Sequence, residues 1–288
     1  MELGVITDGI SRDFAHALEV MTDAGLTHAE LQFLWDNEVG DLTPEQTRAA
    51  QDLVRQHGVT VSCISRHVFG GMSVMDTETT TPAYVEHLDA LRRCIELAGD
   101  FDCGLVRILS FSKEMILFGS HGADVWNVST GAWDKLVELI APAVRIAEDA
   151  EVTLVVETGN NAMVTSAHLA ARLIDDIGSP RLATLWDPCN SLYCNEKPLP
   201  DALAAMAGGK LGHLHLKDAQ VDIPRAAVAC TELGLGDMAP YLPGLPDALR
   251  ESGYDGVVSF ESVYRPDEAT FEDGFRASID AFKRLFSE

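Results

Sequence analysis

The feature that most constrains this chain is an alternation. Eight runs of β-prone apolar residues recur along 288 residues, and stretches of helical periodicity separate them. The runs read as strands over 1–7, 28–35, 60–67, 105–112, 153–159, 183–190, 211–219 and 256–262. Helix signals fill the gaps. Phe14, Ala17, Leu18 and Met21 share one face, after a Ser11 cap and before Gly25. Thr43-Pro44-Glu45-Gln46 is a capping box with proline at the first helical position. Tyr84, Leu88, Leu91, Ile95 and Ala98 form a third stripe. Trp133, Leu136, Val137, Ile140 and Val144 form a fourth, in which Pro142 is expected to kink or restart the helix. A fifth helix begins near Thr165 or Ser166 and closes at Gly178, and FEDGFRASIDAFKRLF is the closing helix. Strict β-α alternation demands a parallel sheet. Eight units of about 36 residues predict a closed (β/α)8 barrel, one domain over 1–288. A doubly wound sheet is the alternative, weakened by the absence of G-x-G-x-x-G after the first strand.

In such a barrel, chemistry gathers at the C-terminal ends of the strands. Four of the runs end in a residue able to bind metal: LVVETG in Glu157, LWDPCN in Asp187, HLHLKD in His215 and VSFES in Glu261. The gaps between them are 30, 28 and 46 residues, enough each time for a strand, a helix and their loops. Parity supports a shared inward direction. Val155 and Thr153 lie beneath Glu157, Leu185 and Ala183 beneath Asp187, and Ser259 and Val257 beneath Glu261. Carboxylates gathered at one mouth repel by roughly 4 kcal/mol per pair at 4 Å, so a cation is expected among them. Three carboxylates and one imidazole suit a hard or borderline divalent ion such as Mn2+ or Mg2+.

The formal net charge of −24 argues against a nucleic acid or an anionic membrane as partner. No apolar stretch reaches the ~18 residues a membrane span needs. ELGVIT reads as a strand rather than a secretory signal, and six cysteines without a C-x-x-C pair read as reduced thiols. The expected location is the cytoplasm.

The set E-T-G, W-D-P-x-N, H-x-H-x-K-D and S-x-E resembles the xylose isomerase-like barrels. That group includes sugar-phosphate isomerase/epimerase proteins, ketose 3-epimerases, inosose dehydratase and hydroxypyruvate isomerase, and the endonuclease IV type of repair enzyme. The resemblance spans essentially the whole chain. It implies Glu157, Asp187, His215 and Glu261 as ligands of one divalent metal, usually Mn2+, with Mg2+, Co2+ or Zn2+ as options. It implies a metal-dependent isomerase or epimerase of a sugar or related hydroxy-ketone. Glu157 and Glu261 would move a proton α to the carbonyl, through a metal-stabilised enediolate. A lyase on the same platform is the alternative, either an inosose-type dehydratase or β-elimination from a 3-keto sugar. The implied partner is a small carbohydrate-like molecule, and a homo-oligomer is common among relatives.

Other positions are substrate candidates. His67 ends the third strand, and Lys217 sits at the seventh strand's mouth. Trp35, ending the second strand, either stacks on a sugar face or packs at the mouth. Arg107 either anchors substrate or neutralises a buried carboxylate such as Glu30. Asn190 stands where ketose 3-epimerases carry histidine, and no arginine follows the seventh strand as it does in them, which argues against a simple free-ketohexose epimerase. His213, one layer below His215, reads as a packed core histidine. The endonuclease's extra histidines are missing, which with the acidity argues against DNA cleavage. Loops at 68–82, 111–131 and 219–243 carry substrate identity, and Phe118 and Trp126 are candidate lid residues.

Overall fold

The eight runs close on themselves. A computed structural model describes residues 1–114 and 131–287, and its eight principal strands form one closed parallel barrel in sequential order. They are β1 (Glu2–Ile6), β2 (His28–Leu31), β3 (Thr60–Ser65), β4 (Leu105–Ile108), β5 (Thr153–Glu157), β6 (Leu182–Trp186), β7 (Leu211–Leu216) and β8 (Val257–Phe260). Gly4 of β1 is in register with His28 on one side and Ser259 on the other, which closes the ring. The helices outside are α1 (Phe14–Asp23), α2 (Pro44–His57), α3 (Pro82–Asp100), α4 (Ala132–Asp149), α5 (Ala167–Ile177), α6 (Pro188–Tyr193), α7 (Leu245–Glu251) and α8 (Phe271–Leu285). This is a (β/α)8 barrel.

Local chemistry accounts for the helix ends. At α2 the Thr43 hydroxyl accepts from Gln46 N–H and the Gln46 side chain accepts from Thr43 N–H. Ser166 caps α5, and Gly178 closes it in the left-handed conformation that glycine adopts without strain. Asp13, rather than Ser11, caps α1. α4 runs without interruption through Pro142.

The strands are shorter than their apolar runs. β2 stops at Leu31, and Phe33–Leu34 turn out to pair with Asn37–Glu38 as a small hairpin. β6 stops at Trp186, so Asp187 becomes the N-cap of α6. β7 stops at Leu216, and Asp218–Asp222 pair with Ala227–Thr231 in a second hairpin.

The expected parity holds inside the barrel. Cys63, Val155, Ala183 and Leu185 form a separate apolar plug against Leu105. Above that plug, toward the strand C-termini, the interior turns polar: Glu30, Arg107, His213 and His215 are all buried. A bulge aims the two histidines inward. Thr184 is in register with Leu211 and Leu185 with His213, so Gly212 is passed over. Only glycine fits there, because a Cβ would lie 2.7 Å from that of Ala183.

All six cysteines are free thiols. Among the described residues no helix is long and apolar enough to cross a membrane.

Candidate active site

The four strand-end residues meet at the barrel mouth through different local devices. Glu157 is the last residue of β5, His215 lies within β7, and Glu261 follows β8 directly. Asp187 caps α6, with Oδ1 accepting from Cys189 N–H at 2.9 Å and Asn190 N–H at 3.3 Å. That leaves Oδ2 for the mouth.

His215 carries the most informative atom. Its Nε2 is 2.8 Å from Glu30 Oε1. Glu30 also takes His213 Nε2 at 2.9 Å and the Ser65 hydroxyl. A carboxylate that accepts from Nε2–H leaves Nδ1 as the nitrogen that can give up its proton and present a lone pair to a cation. Nδ1 of His215 is buried and makes no hydrogen bond. It faces Glu157 Oε1 at 3.5 Å and Glu261 Oε2 at 3.8 Å. These three donors lie within 4.8 Å of one another. An unpaired buried imidazole nitrogen aimed at two carboxylates fits a divalent cation in both charge and donor type.

Asp187 lies just outside that trio. Its Oδ2 is 2.5 Å from Lys217 Nζ, which also donates to Glu261 Oε2 at 2.6 Å. The Lys217 ammonium therefore bridges the sixth and eighth strand ends. His213 is the packed, hydrogen-bonded core histidine that its depth implied. Glu30, His213 and His215 also form a compact donor cluster. Both oxygens of Glu30 are taken up by the two Nε2 atoms, so Glu30 serves as the group that orients His215.

Of the two readings of Arg107, the neutralising one matches the geometry, but its partner is Glu157 rather than Glu30. Nη1 reaches Glu157 Oε2 at 3.1 Å, and Nη2 reaches Ser65 O at 3.2 Å and Gln32 Oε1 at 3.3 Å.

The electrostatics follow from burial opposed by these pairs. Burial pushes Glu157 up, but Arg107 and His215 outweigh it and hold the carboxyl down to about 2. Burial works against charge on His215, yet Glu30 and Glu157 raise it to about 10. Burial and the neighbouring Glu261 lift Asp187 to about 7, against the pull of Lys217. Lys217 itself is desolvated, but Asp187 and Glu261 raise it well above the usual lysine value.

These groups open into a cavity of about 410 Å3, lined in part by His67, Arg107, Asn190, Lys217, Glu157 and Glu261. His67 is partly exposed there, with Nδ1 2.7 Å from Glu38 Oε1. Asn190 donates its side-chain N–H to Thr158 O at 2.6 Å, tying β5 to the start of α6. Trp35 packs edge-on against Phe14 with ring centroids 5.8 Å apart, and it lines none of this cavity. Phe118, His121 and Trp126 lie outside the described residues.

Two residues have roles that the sequence alone does not assign. Glu30 was seen only as a partner for Arg107, although H-A-E at the end of a strand places a carboxylate on the inward parity. Asp218, in the K-D pair, turns away from Lys217 and accepts from the backbone N–H groups of Ala219, Gly234, Gly236 and Met238 at 2.8–3.0 Å. Gly236 is needed for that approach, since a Cβ there would collide with the Asp218 carboxylate. The signal was the G-L-G-D loop downstream.

Comparison with known proteins adds three findings. A family model described as xylose isomerase-like TIM barrel matches residues 18–285. No curated protein sequence matches the chain. Among solved structures, the chain is similar in fold to IOLI protein with a bound zinc atom, at TM-score 0.75 and 15% identity over 100% of this chain and 98% of that one. It is also similar to 3-keto-D-glucoside 4-epimerase, YcjR, from E. coli, at TM-score 0.71 and 15% identity over the whole of both chains. D-Psicose 3-epimerase from Clostridium cellulolyticum H10 aligns at TM-score 0.70 and 14% identity over 99% of each chain.

Proposed function

The chain belongs to the xylose isomerase-like TIM barrel family, and from that premise we propose that it is a metal-dependent epimerase or isomerase of a sugar or related hydroxy-ketone. The observation that carries the reading is the buried, unpartnered Nδ1 of His215 between the carboxylates of Glu157 and Glu261. The proposed ligands are Glu157, His215 and Glu261, with Asp187 as the fourth through Oδ2. Three carboxylates and one imidazole favour Mn2+ or Mg2+, while Zn2+ and Co2+ also accept such a set. When bound, the cation supplies Lewis-acid stabilisation of the negative charge that builds on substrate oxygens as the α-proton leaves.

The chain's own residues do the rest. Glu157 and Glu261 sit on β5 and just after β8, strands that are not neighbours in the barrel, so they approach a substrate from different sides. One removes the proton and the other returns it, to the opposite face in epimerisation or to the adjacent carbon in isomerisation. Arg107 keeps Glu157 ionised and therefore able to accept a proton. Glu30 holds the His215 ring in its ligand tautomer. Lys217, Asn190 and His67 offer donors to substrate oxygens around the cavity.

The solved epimerases of the same fold support this reading by analogy. The test is an assay of metal-replete protein against ketoses, inososes and 3-keto glycosides, with products resolved by NMR. A new epimer or an aldose–ketose pair is the expected outcome. A dehydrated or cleaved product would assign the chain to the lyases on the same platform. No turnover of any hydroxy-ketone with any of the four metals would refute the proposal.

A further inference from the structure

The cleft continues past the reacting centre. A second cavity, of about 690 Å3, opens at the same mouth between the ends of β1 and β8 and the start of α8. Gln32, Glu261 and Val263 line both cavities, so the two are lobes of one cleft. The first lobe, at about 410 Å3, already falls within the roughly 300–1,000 Å3 of small-ligand pockets. The second is larger and contains none of the proton-transfer machinery except the shared Glu261.

We propose that this second lobe is a subsite for a second sugar ring, so that the substrate is a keto-glycoside of disaccharide size. The inference rests on the reading of the first lobe as a sugar-ketone site.

The walls carry the argument. Two aromatic rings face the lobe, Phe33 from the small hairpin and Phe271 from the first turn of α8. Phe271 is 44% exposed, a large apolar side chain left uncovered at a cavity edge. A guanidinium lies over each ring, Arg12 at 4.7 Å from the Phe33 centroid and Arg265 at 5.5 Å from that of Phe271, and both arginines line the lobe as well. Flat aromatic faces beside polar groups suit the C–H face of a pyranose. Asp8, just after β1, adds a partly buried carboxylate whose Oδ1 accepts from Phe33 N–H at 3.3 Å. A carboxylate lining a cavity is an acceptor for hydroxyls.

Charge balance decides the ligand class. Arg12 is paired with Asp36 at 3.1 Å, and Glu272 is paired with His16 and Arg276 at 2.7 Å each. Glu261 is paired with Lys217 at 2.6 Å, so among the described residues that line the lobe one carboxylate, Asp8, remains against one guanidinium, Arg265. A phosphate or uronate would call for an excess of positive charge, whereas a neutral polyol does not. Because Glu261 lines both lobes, a sugar linked to the reacting ring at that edge extends into the second lobe.

The test is calorimetry on the metal-replete full chain with unreactive probes: D-glucose against maltose, lactose, sucrose and trehalose. At least one disaccharide is expected to bind about tenfold or more tighter than glucose. Two substitutions act on the lobe in opposite ways. Ala269→Trp fills it, and Phe271→Ala removes the exposed ring; each should bring that disaccharide to within about threefold of glucose. Disaccharides that bind no tighter than glucose, or a preference that survives both substitutions, would overturn the proposal. The two readings fail separately. Phe271-dependent disaccharide binding without turnover of any ketone would leave the subsite standing and sink the reaction. Turnover with no disaccharide preference would do the reverse.

Discussion

Replacing Glu30 by glutamine should weaken metal binding although Glu30 is not a ligand. The buried carboxylate accepts from His213 Nε2 at 2.9 Å, His215 Nε2 at 2.8 Å and the Ser65 hydroxyl. Both histidines hold it in the charged form, well below the usual glutamate range, even though burial opposes this. Glu30→Gln keeps the size but replaces one acceptor oxygen by an amide donor. One of the two Nε2–H groups then loses its acceptor. If that group belongs to His215, its neutral ring favours the tautomer protonated on Nδ1, so the lone pair that a cation needs opposite Glu157 and Glu261 is lost. Lost orienting partners of this kind typically cost about 10–100-fold in metal affinity. On that scale the loss is about 1.4–2.7 kcal/mol. Competition with a fluorescent chelator reads the affinity, and near-UV circular dichroism checks that the fold is kept. A folded Glu30→Gln protein that binds metal within about twofold of wild type would refute the claim that Glu30 sets the His215 tautomer.

Three further outcomes follow from the same pairs. In the metal-free protein His215 is held protonated up to about 10 against an ordinary 6.5, so metal uptake must expel a proton. Affinity should therefore rise about tenfold per pH unit from neutrality toward pH 10, with proton release visible by calorimetry in buffers of different ionisation enthalpy; a pH-independent affinity contradicts this. Arg107→Met leaves Glu157 buried without its cation and should cost about 3–5 kcal/mol in urea unfolding of chelated protein, recovered in part by metal. The Glu157 pKa is depressed, to about 2. The wild-type pair thus contributes stability that is full above the unfolded value near 4.5 and is lost as pH falls through about 2; this acid-side slope should shrink in the variant, where His215 and Lys217 still favour the ionised form. Asp218→Asn removes a charged acceptor from four backbone N–H groups, so amide exchange at Gly234, Gly236 and Met238 should accelerate; unchanged protection at those amides would show that the loop holds itself.

The barrel was legible because its code is local. Each strand announces itself by β-prone apolar residues and each helix by its stripe and caps, as at Thr43 and Ser166. The four strand-end residues were legible because parity and strand order alone bring them to one mouth. Other features depend on longer-range facts. Lys217 was expected at the mouth, but only the fold shows its flexible chain laid between Asp187 and Glu261. The role of Glu30 needs the distance across the barrel from β2 to β7, strands 183 residues apart at Glu30 and His213. One reading of Trp35 offers its ring to substrate. The hairpin instead turns it onto Phe14 and presents Phe33, two residues earlier, to the cleft. That hairpin has only two residues per strand, too short for a periodic signal. The longer hairpin at 218–231 escaped notice because its second strand, AVACT, is largely exposed.

The central claim is that Glu157 and Glu261 exchange a proton at the carbon next to a metal-held carbonyl. It is tested most directly by turnover of metal-saturated Glu157→Gln and Glu261→Gln proteins on the best ketone of the substrate screen, with metal content measured in the same samples. Glutamine keeps an oxygen donor but cannot act as a base. The account predicts folded variants that contain metal and have lost about 10²–10⁴-fold in turnover. Metal-replete variants that turn over near the wild-type rate would contradict it.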